Sequence, residues 1–512
     1  MKKRFVRQTA LAAALLLGFS CAAPALAAID VPYDSYIWNY REYIEFTPAP
    51  YVPAGTVTGL SLGVGAFRNP QDICIAPDGK LYIADTDNDR IVIVNEDMTE
   101  ALGIIDAFDN NGAPDSFDRP YGVTVSEKNI LYVADTNNNR IVVLDGTAAV
   151  QIISDPRSEM LPGDYIFSPL KVAVDYADRV YVVARNMHQG IMVFSAEGDF
   201  QSFFGTIEVS ISLWQRFWRS LATKEQRRRQ QLFIATEFTG IDVDPEGFVY
   251  ASCIDPQGNQ AAFRLNPKGE DVIKTGENGN VGGDIDYRPT VAGQYDGPSY
   301  IVDIIIRDKG IYSMLDAKRG RIFTYDNEGN LLYIFGGLGT QSGTFRSPSA
   351  LADAGDKLLA LDTDRREILI FAETDYGRLI NEAVGLRYDG DERLAVDLWK
   401  QVLALNENLE LANIGIGKAY LTEGNNREAM RHLKLGMNRT YYSVAFKRYR
   451  NDLLKANLSY ILTAAVVLAA GLYLWNALKQ RRTCNKARCP ILTTVIVYIA
   501  RLFCKNFYRR LD

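Results

Sequence analysis

The sequence predicts a mainly β fold: a six-bladed β-propeller over residues 56–375, followed by a small α-helical domain and one transmembrane helix. Three observations carry that prediction. A segment near the N-terminus is written twice, fifty residues apart, with Pro70/Pro120, Asp85/Asp135 and Arg90/Arg140 in register. From Tyr376 the apolar period changes from that of strands to that of helices. Residues 458–478 form an apolar run without a charge.

The chain of 512 residues is 47% apolar and 23% charged, the balance of ordinary globular protein. A net charge of −6 offers no cationic field to phosphates, so no nucleic-acid partner is expected. Residues 1–27 read as a secretory signal. Lys2, Lys3, Arg4 and Arg7 precede an apolar run, and Ala25 and Ala27 supply the small residues for cleavage. Residues 28–55 are an N-terminal segment before the repeats. Of the six cysteines, only Cys74 and Cys253 fall in the body, in different repeats, so no disulfide framework is expected.

Six copies of the repeat keep phase, at residues 67–94, 117–144, 167–194, 240–265, 300–325 and 345–371. Each holds short runs of β-formers separated by turns such as Pro77-Asp78-Gly79. One such unit cannot bury its own apolar face, and stacking several radially leaves only short, protected sheet edges. The sixth copy lacks an outer strand. Residues 56–65 resemble the outer-strand segment that starts at Leu331, and are expected to complete the last blade and close the ring.

The motif ADTxNxR with a following IxV resembles NHL repeats, propellers of extracytoplasmic binding proteins and of some enzymes. The match is strong in the first two copies and weaker in the others. The resemblance implies that Asp85, Arg90, Asp135 and Arg140 hold strands and blades together. It also implies Gly at the start of each inner strand, as at Gly122 and Gly240. In the first, third and fifth copies that position holds Asp72, Lys171 and Asp303 instead. Alternate blades would then point charge at one mouth of the channel. Such a ring can bind a small ligand or a cation, oxygen ligands suiting calcium. The alternative is that the three side chains pair with one another or with water.

His188, in a loop of the third copy, is a candidate ligand-binding residue or lone base, against a plain surface role. The other histidine, His432, lies in the helical segment, so a multi-histidine metal site is excluded. No GxSxG or phosphate loop stands out, and the reading leans away from an enzyme.

Residues 206–236 form an insertion where other copies have a short loop. Ile211, Trp214, Phe217, Trp218 and Leu221 fall at helical spacing, and Arg227, Arg228 and Arg229 follow. A basic amphipathic helix of this kind suits a membrane interface, a partner's groove or its own propeller.

In residues 376–440, Ala383, Leu386, Ala395, Trp399 and Val402 recur 34 residues later as Gly417, Tyr420, Ala429, Leu433 and Gly436, a spacing that resembles tetratricopeptide (TPR) repeats. Residues 441–457 read as a capping helix or stalk running without Gly or Pro into the span at 458–478, long enough for a bilayer core of about 30 Å. The signal places the body outside the cell membrane and the basic tail, residues 479–512, in the cytoplasm. The expected function is a single-pass, extracytoplasmic propeller that binds protein partners or senses a ligand in an envelope complex such as a transporter. The alternative is a calcium-dependent, gluconolactonase-like hydrolase.

Overall fold

The computed structural model describes residues 31–483, apart from 155, 157, 159, 162–164, 206–236, 256–259, 277–280 and 285–296. The signal, the insertion and the tail beyond residue 483 therefore lie outside the described residues.

Each copy of the repeat folds as one antiparallel sheet, and six such sheets form a ring. Blade 1 runs from the axis outward as Asp72–Ile75, Leu81–Asp85, Arg90–Val94 and Ala101–Ile105. The inner strands of blades 2 to 6 are Pro120–Val125, Pro169–Val174, Phe238–Val243, Ile301–Ile306 and Pro348–Asp353. Each touches the next, and the last touches that of blade 1.

The ring is closed by an N-terminal strand, Tyr51–Thr58, paired antiparallel with Glu367–Glu373 in blade 6. It lies earlier than the expected 56–65 because the chain turns after Thr58. There the Ser61 amide donates to Thr58 Oγ1 (3.0 Å) and the Thr58 amide to Ser61 Oγ (2.9 Å). Two hairpins extend the blades outward: Tyr36–Trp38 with Ile44–Phe46 on blade 5, and Ala107–Asn110 with Ala113–Ser116 on blade 2. Blade 4 has three strands among the described residues, with a single bridge, Leu265 to Asp271, where a fourth was expected.

The core is divided among the blade interfaces. Ile73, Leu81 and Leu359 pack between blades 6 and 1, Ile91 and Val133 between blades 1 and 2, and Ile141 and Val182 between blades 2 and 3. Burying each such side chain contributes about 1.5–3 kcal/mol, so a blade is stable only beside its neighbours. The slab between blades 5 and 6 is continuous with the helical region: Leu332, Phe335 and Phe371 lie in one cluster with Tyr376, Ile380 and Trp399.

Helices α1 (Asp375–Tyr388), α2 (Glu392–Leu405), α3 (Glu410–Thr422) and α4 (Asn426–Leu435) follow the ring. Thr374 caps α1, its hydroxyl accepting from the Gly377 amide at 3.3 Å and donating to the Ala49 carbonyl at 2.7 Å. The capping residue thus also ties α1 to the N-terminal segment. Helix α5, Arg439–Thr483, is unbroken for 45 residues. It is long and apolar enough to cross a membrane, with a mean hydropathy of 1.9 in its apolar window. From Tyr442 the chain forms a unit of its own.

Candidate functional site

At the start of every inner strand after the first, one extra residue bulges: the register shifts between Pro120 and Gly122, Pro169 and Lys171, Phe238 and Gly240, Ile301 and Asp303, and Pro348 and Ala350. A bulge re-aims the residue that follows it. Around the mouth the ring therefore reads Asp72, Gly122, Lys171, Gly240, Asp303, Ala350, charged and small in alternation. The alternation is steric. A Cβ on Gly122 would lie 2.9 Å from Lys171 Cα, and one on Gly240 would lie 2.7 Å from Asp303 Cα. Three side chains fill this mouth, and six would not fit.

The structure brings the three predicted residues together. Lys171 Nζ lies 2.5 Å from Asp72 Oδ1 and 3.2 Å from Asp303 Oδ1, joining blades 1, 3 and 5 across the axis. The outer carboxylate oxygens reach sideways: Asp72 Oδ2 accepts the Val123 amide of blade 2 at 2.9 Å, and Asp303 Oδ2 accepts the Leu351 amide of blade 6 at 2.8 Å. All three side chains are buried. Burial raises the Asp72 carboxyl to about 6 even against the Lys171 charge, and raises Asp303 in the same way. Burial would lower the Lys171 ammonium, but Asp303 and Asp72 outweigh it and hold it above its ordinary value.

Below this bridge the channel widens to a cavity of about 180 Å³ lined by Cys74, Thr124, Ala173, Asp242, Ile305 and Ala352, with Asp353 toward the far end. Asp242 is the site residue that sequence reasoning missed. Its Oδ2 accepts the Ile306 amide of blade 5 at 2.8 Å and its Oδ1 accepts the Val243 amide at 2.9 Å. Burial pushes its carboxyl up to about 7. The available signal was the position two residues after Gly240, where the other copies carry Cys, Thr, Ala or Ile.

The motif residues fasten the chain. Asp85 accepts from the Arg68 amide (2.7 Å), Asn88 (2.8 Å) and Arg90 (2.8 Å), pinning the entering segment to the end of the second strand. Asp135 does the same with the Asp118 amide (2.8 Å), Asn138 (2.9 Å) and Arg140 (2.8 Å). Arg140 also grips Asp115 of the added hairpin at 2.7 and 3.0 Å and holds that carboxyl down at about 2. The link from blade to blade belongs to the threonine of the motif, which the sequence reading passed over. Thr86 donates to the Pro120 carbonyl of blade 2 (2.8 Å), Thr136 to Pro169 of blade 3 (2.7 Å), and Thr363 to Pro70 of blade 1 (2.8 Å).

His188 is not drawn into the channel cluster. Its Nε2 lies 3.5 Å from Glu237 Oε1, both side chains being well exposed. The docking candidates Ile211, Trp214, Phe217, Trp218, Leu221, Arg227, Arg228 and Arg229 lie outside the described residues. Calcium does not fit the mouth as it stands, because the positive charge between Asp72 and Asp303 is already the Lys171 ammonium. Among the described residues, no three His, Cys, Asp or Glu side chains gather as a metal-ligand set.

At the far end of the ring, blades 5 and 6 are buttressed by the helices. Arg307 donates to Tyr51 Oη (2.6 Å) and Tyr333 Oη (3.0 Å), and Tyr333 donates to Asn381 of α1 (2.9 Å). Glu328, in a hairpin of blade 5, pairs with Arg387 of α1 and, at 2.9 Å, with Lys418 of α3. Burial alone would raise the Glu328 carboxyl; the two cations outweigh it and hold the group at about 2.

No curated protein matches the chain. Similar solved structures include virginiamycin B lyase from Staphylococcus aureus, 12% identical, covering 60% of this chain and 95% of that one at a TM-score of 0.37. A Bacteroides thetaiotaomicron protein of unknown function is 15% identical, covering 60% of this chain and 70% of its own at 0.39. A putative gluconolactonase is 12% identical, covering 64% and 94% at 0.37. Likenesses this distant carry no argument about chemistry. Residues 67–94 and 117–144 match the NHL repeat, so blades 1 and 2 of this six-bladed propeller are NHL repeats.

Proposed function

We propose that this chain is a membrane-tethered, extracytoplasmic propeller that works by binding, as a scaffold or ligand-sensing component of an envelope complex. The observation that carries the reading is the Lys171 bridge. A calcium-dependent hydrolase needs carboxylates free to hold the ion at the channel mouth, whereas Asp72 and Asp303 are both engaged by an ammonium and by backbone amides. Helix α5 serves as stalk and anchor, and the four TPR-like helices brace the far end of the ring or offer a docking platform.

The test is cross-linking in the native membrane followed by identification of what co-purifies with the full chain. A specific envelope protein at comparable yield is the expected result, and recovery of the chain alone overturns the scaffold reading. Calorimetric titration with calcium is expected to give no binding heat. A heat that disappears in Asp72→Ala and Asp303→Ala would favour the hydrolase.

A further inference from the structure

The channel carries more negative than positive charge. Asp72, Asp303 and Asp242 line it with Lys171, around a cavity of about 180 Å³. Lys171 is committed to Asp72 and Asp303. Among the described residues, Asp242 receives only backbone amides, those of Ile306 and Val243, and no cation.

The groups that face Asp242 do not neutralise it. The turn after its own strand adds Asp244 and blade 5 adds Asp303, both of which disfavour its charge. Blade 1 contributes Cys74, whose thiol burial holds at about 12, so it stays neutral. Blade 2 offers the Thr124 hydroxyl, and blade 6 offers Ala352 and then Asp353, itself paired with Arg307 at 3.3 Å. A carboxylate set inside the channel, partly exposed to its cavity and flanked by like charges with no counter-charge, is relieved most cheaply by taking up a proton.

We propose that the channel is a proton site: the closed ring holds a proton on Asp242 that the unfolded chain gives up, which makes closure of the ring sensitive to pH. The sense of the effect follows from linkage. The folded carboxyl titrates near 7 against an ordinary value of 3.8. Asp242 therefore favours the closed ring most below that ordinary value, and the advantage is lost as pH rises toward 7. Acid tightens the ring at this site, the reverse of a salt-bridged carboxylate. Protonated, Asp242 can donate into the cavity as well as accept from Ile306, so proton uptake also changes what the channel presents to a small polar solute.

The experiment is urea unfolding of the detergent-solubilised full chain and of Asp242→Asn at pH 8, 7, 6 and 5, followed by tryptophan fluorescence. Asparagine keeps the shape and removes the titration. The ratio of the wild-type folding constant to that of Asp242→Asn is expected to rise about tenfold per pH unit below 7, with Asp242→Asn the more stable at pH 8. A ratio that does not change with pH overturns the proposal. If Asp242→Asn does not fold, Asp242→Ser is read in the same way. Asp72→Asn separates this site from the bridge: with Asp242 intact, it is expected to retain the pH-dependent ratio to its double variant with Asp242→Asn. Loss of that ratio would assign the proton to Asp72 and overturn the claim for Asp242.

Discussion

The ring has two halves that are closed by different means. From blade 6 through blades 1 and 2 to blade 3, each junction is fastened by the repeat itself, through Thr363, Thr86 and Thr136. From blade 3 through blades 4 and 5 to blade 6 the motif threonine is replaced by Arg185, Ile254 and Ala317. There the fastening is improvised: Thr239 donates to the Ile301 carbonyl at 2.8 Å, Asp242 and Asp303 take amides of the next blade as Asp72 does in the first half, and Arg307 joins blade 5 to the N-terminal strand. This second half also receives the helices. The difference teaches that a repeat may drift from its motif wherever something outside it supplies the missing contacts.

Four changes would break or sharpen that contrast. The largest effect is expected from deleting residues 51–58. That removes the pairing to blade 6 together with Tyr51 and Val57, both buried, and costs roughly 5 kcal/mol or more at about 1.5–3 kcal/mol per side chain plus the lost ladder. Thermal unfolding of the deletion beside wild type checks it, and equal midpoints would remove the strand from any closing role.

Next comes Lys171→Met, which strands two buried carboxylates and should cost about 3–5 kcal/mol near neutral pH. The sign with pH is fixed: without the ammonium both carboxyls titrate higher still, so the deficit should shrink as pH falls from 8 to 5. Denaturant midpoints at those two values would expose a deficit that grows instead. The triple change Asp72→Asn, Lys171→Met, Asp303→Asn should recover most of the loss.

Glu328→Gln should cost about 1 kcal/mol, allowing for its partial exposure. Because the folded carboxyl sits at about 2, below its ordinary 4.5, its contribution is present above 4.5 and is lost as pH falls through 2. Limited proteolysis between α1 and α4 should quicken in the variant at neutral pH, and wild type should approach it only in strong acid. Unchanged cleavage would detach this cluster from helix docking.

The smallest effect is Thr136→Val, roughly 0.5–1.5 kcal/mol for one hydrogen bond between blades. The comparison predicts a similar cost for Thr239→Val, whose hydroxyl makes the corresponding bond between blades 4 and 5. A silent Thr239→Val would dissolve the distinction between the halves.

The fold was legible because repetition is a long-range signal: six copies in phase demand a ring whatever their local irregularities. Asp72, Lys171 and Asp303 were legible for the same reason, as departures at one offset where Gly122 and Gly240 mark the norm. That they would bridge could not be read, because Lys171 and Asp303 follow a bulge and Asp72 does not, and bulges leave no mark in the apolar pattern. Asp242 was hidden because its offset has no norm to depart from. The hairpins on blades 2 and 5 were missed because Ala107–Asn110 and Tyr36–Trp38 are too short for periodicity to register. The helices after Tyr376 were readable from their apolar stripes, but not their attachment: beside the apolar slab shared with blades 5 and 6 it uses single side chains such as Glu328 and Asn381, which pattern does not rank above their neighbours.

The closing strand has a temporal consequence. Thr58 pairs with Glu367, so the ring's last seam joins a strand made before any blade to the blade made last. At about 5–20 residues per second, synthesis keeps the two apart for roughly 15–60 s. During that interval the Tyr51–Thr58 edge has no sheet to join, and its amides are open to pairing with any extended chain nearby. Closure is a contact of high sequence separation and so intrinsically slow. Whatever accompanies this chain during its making has one strand above all to keep unpaired.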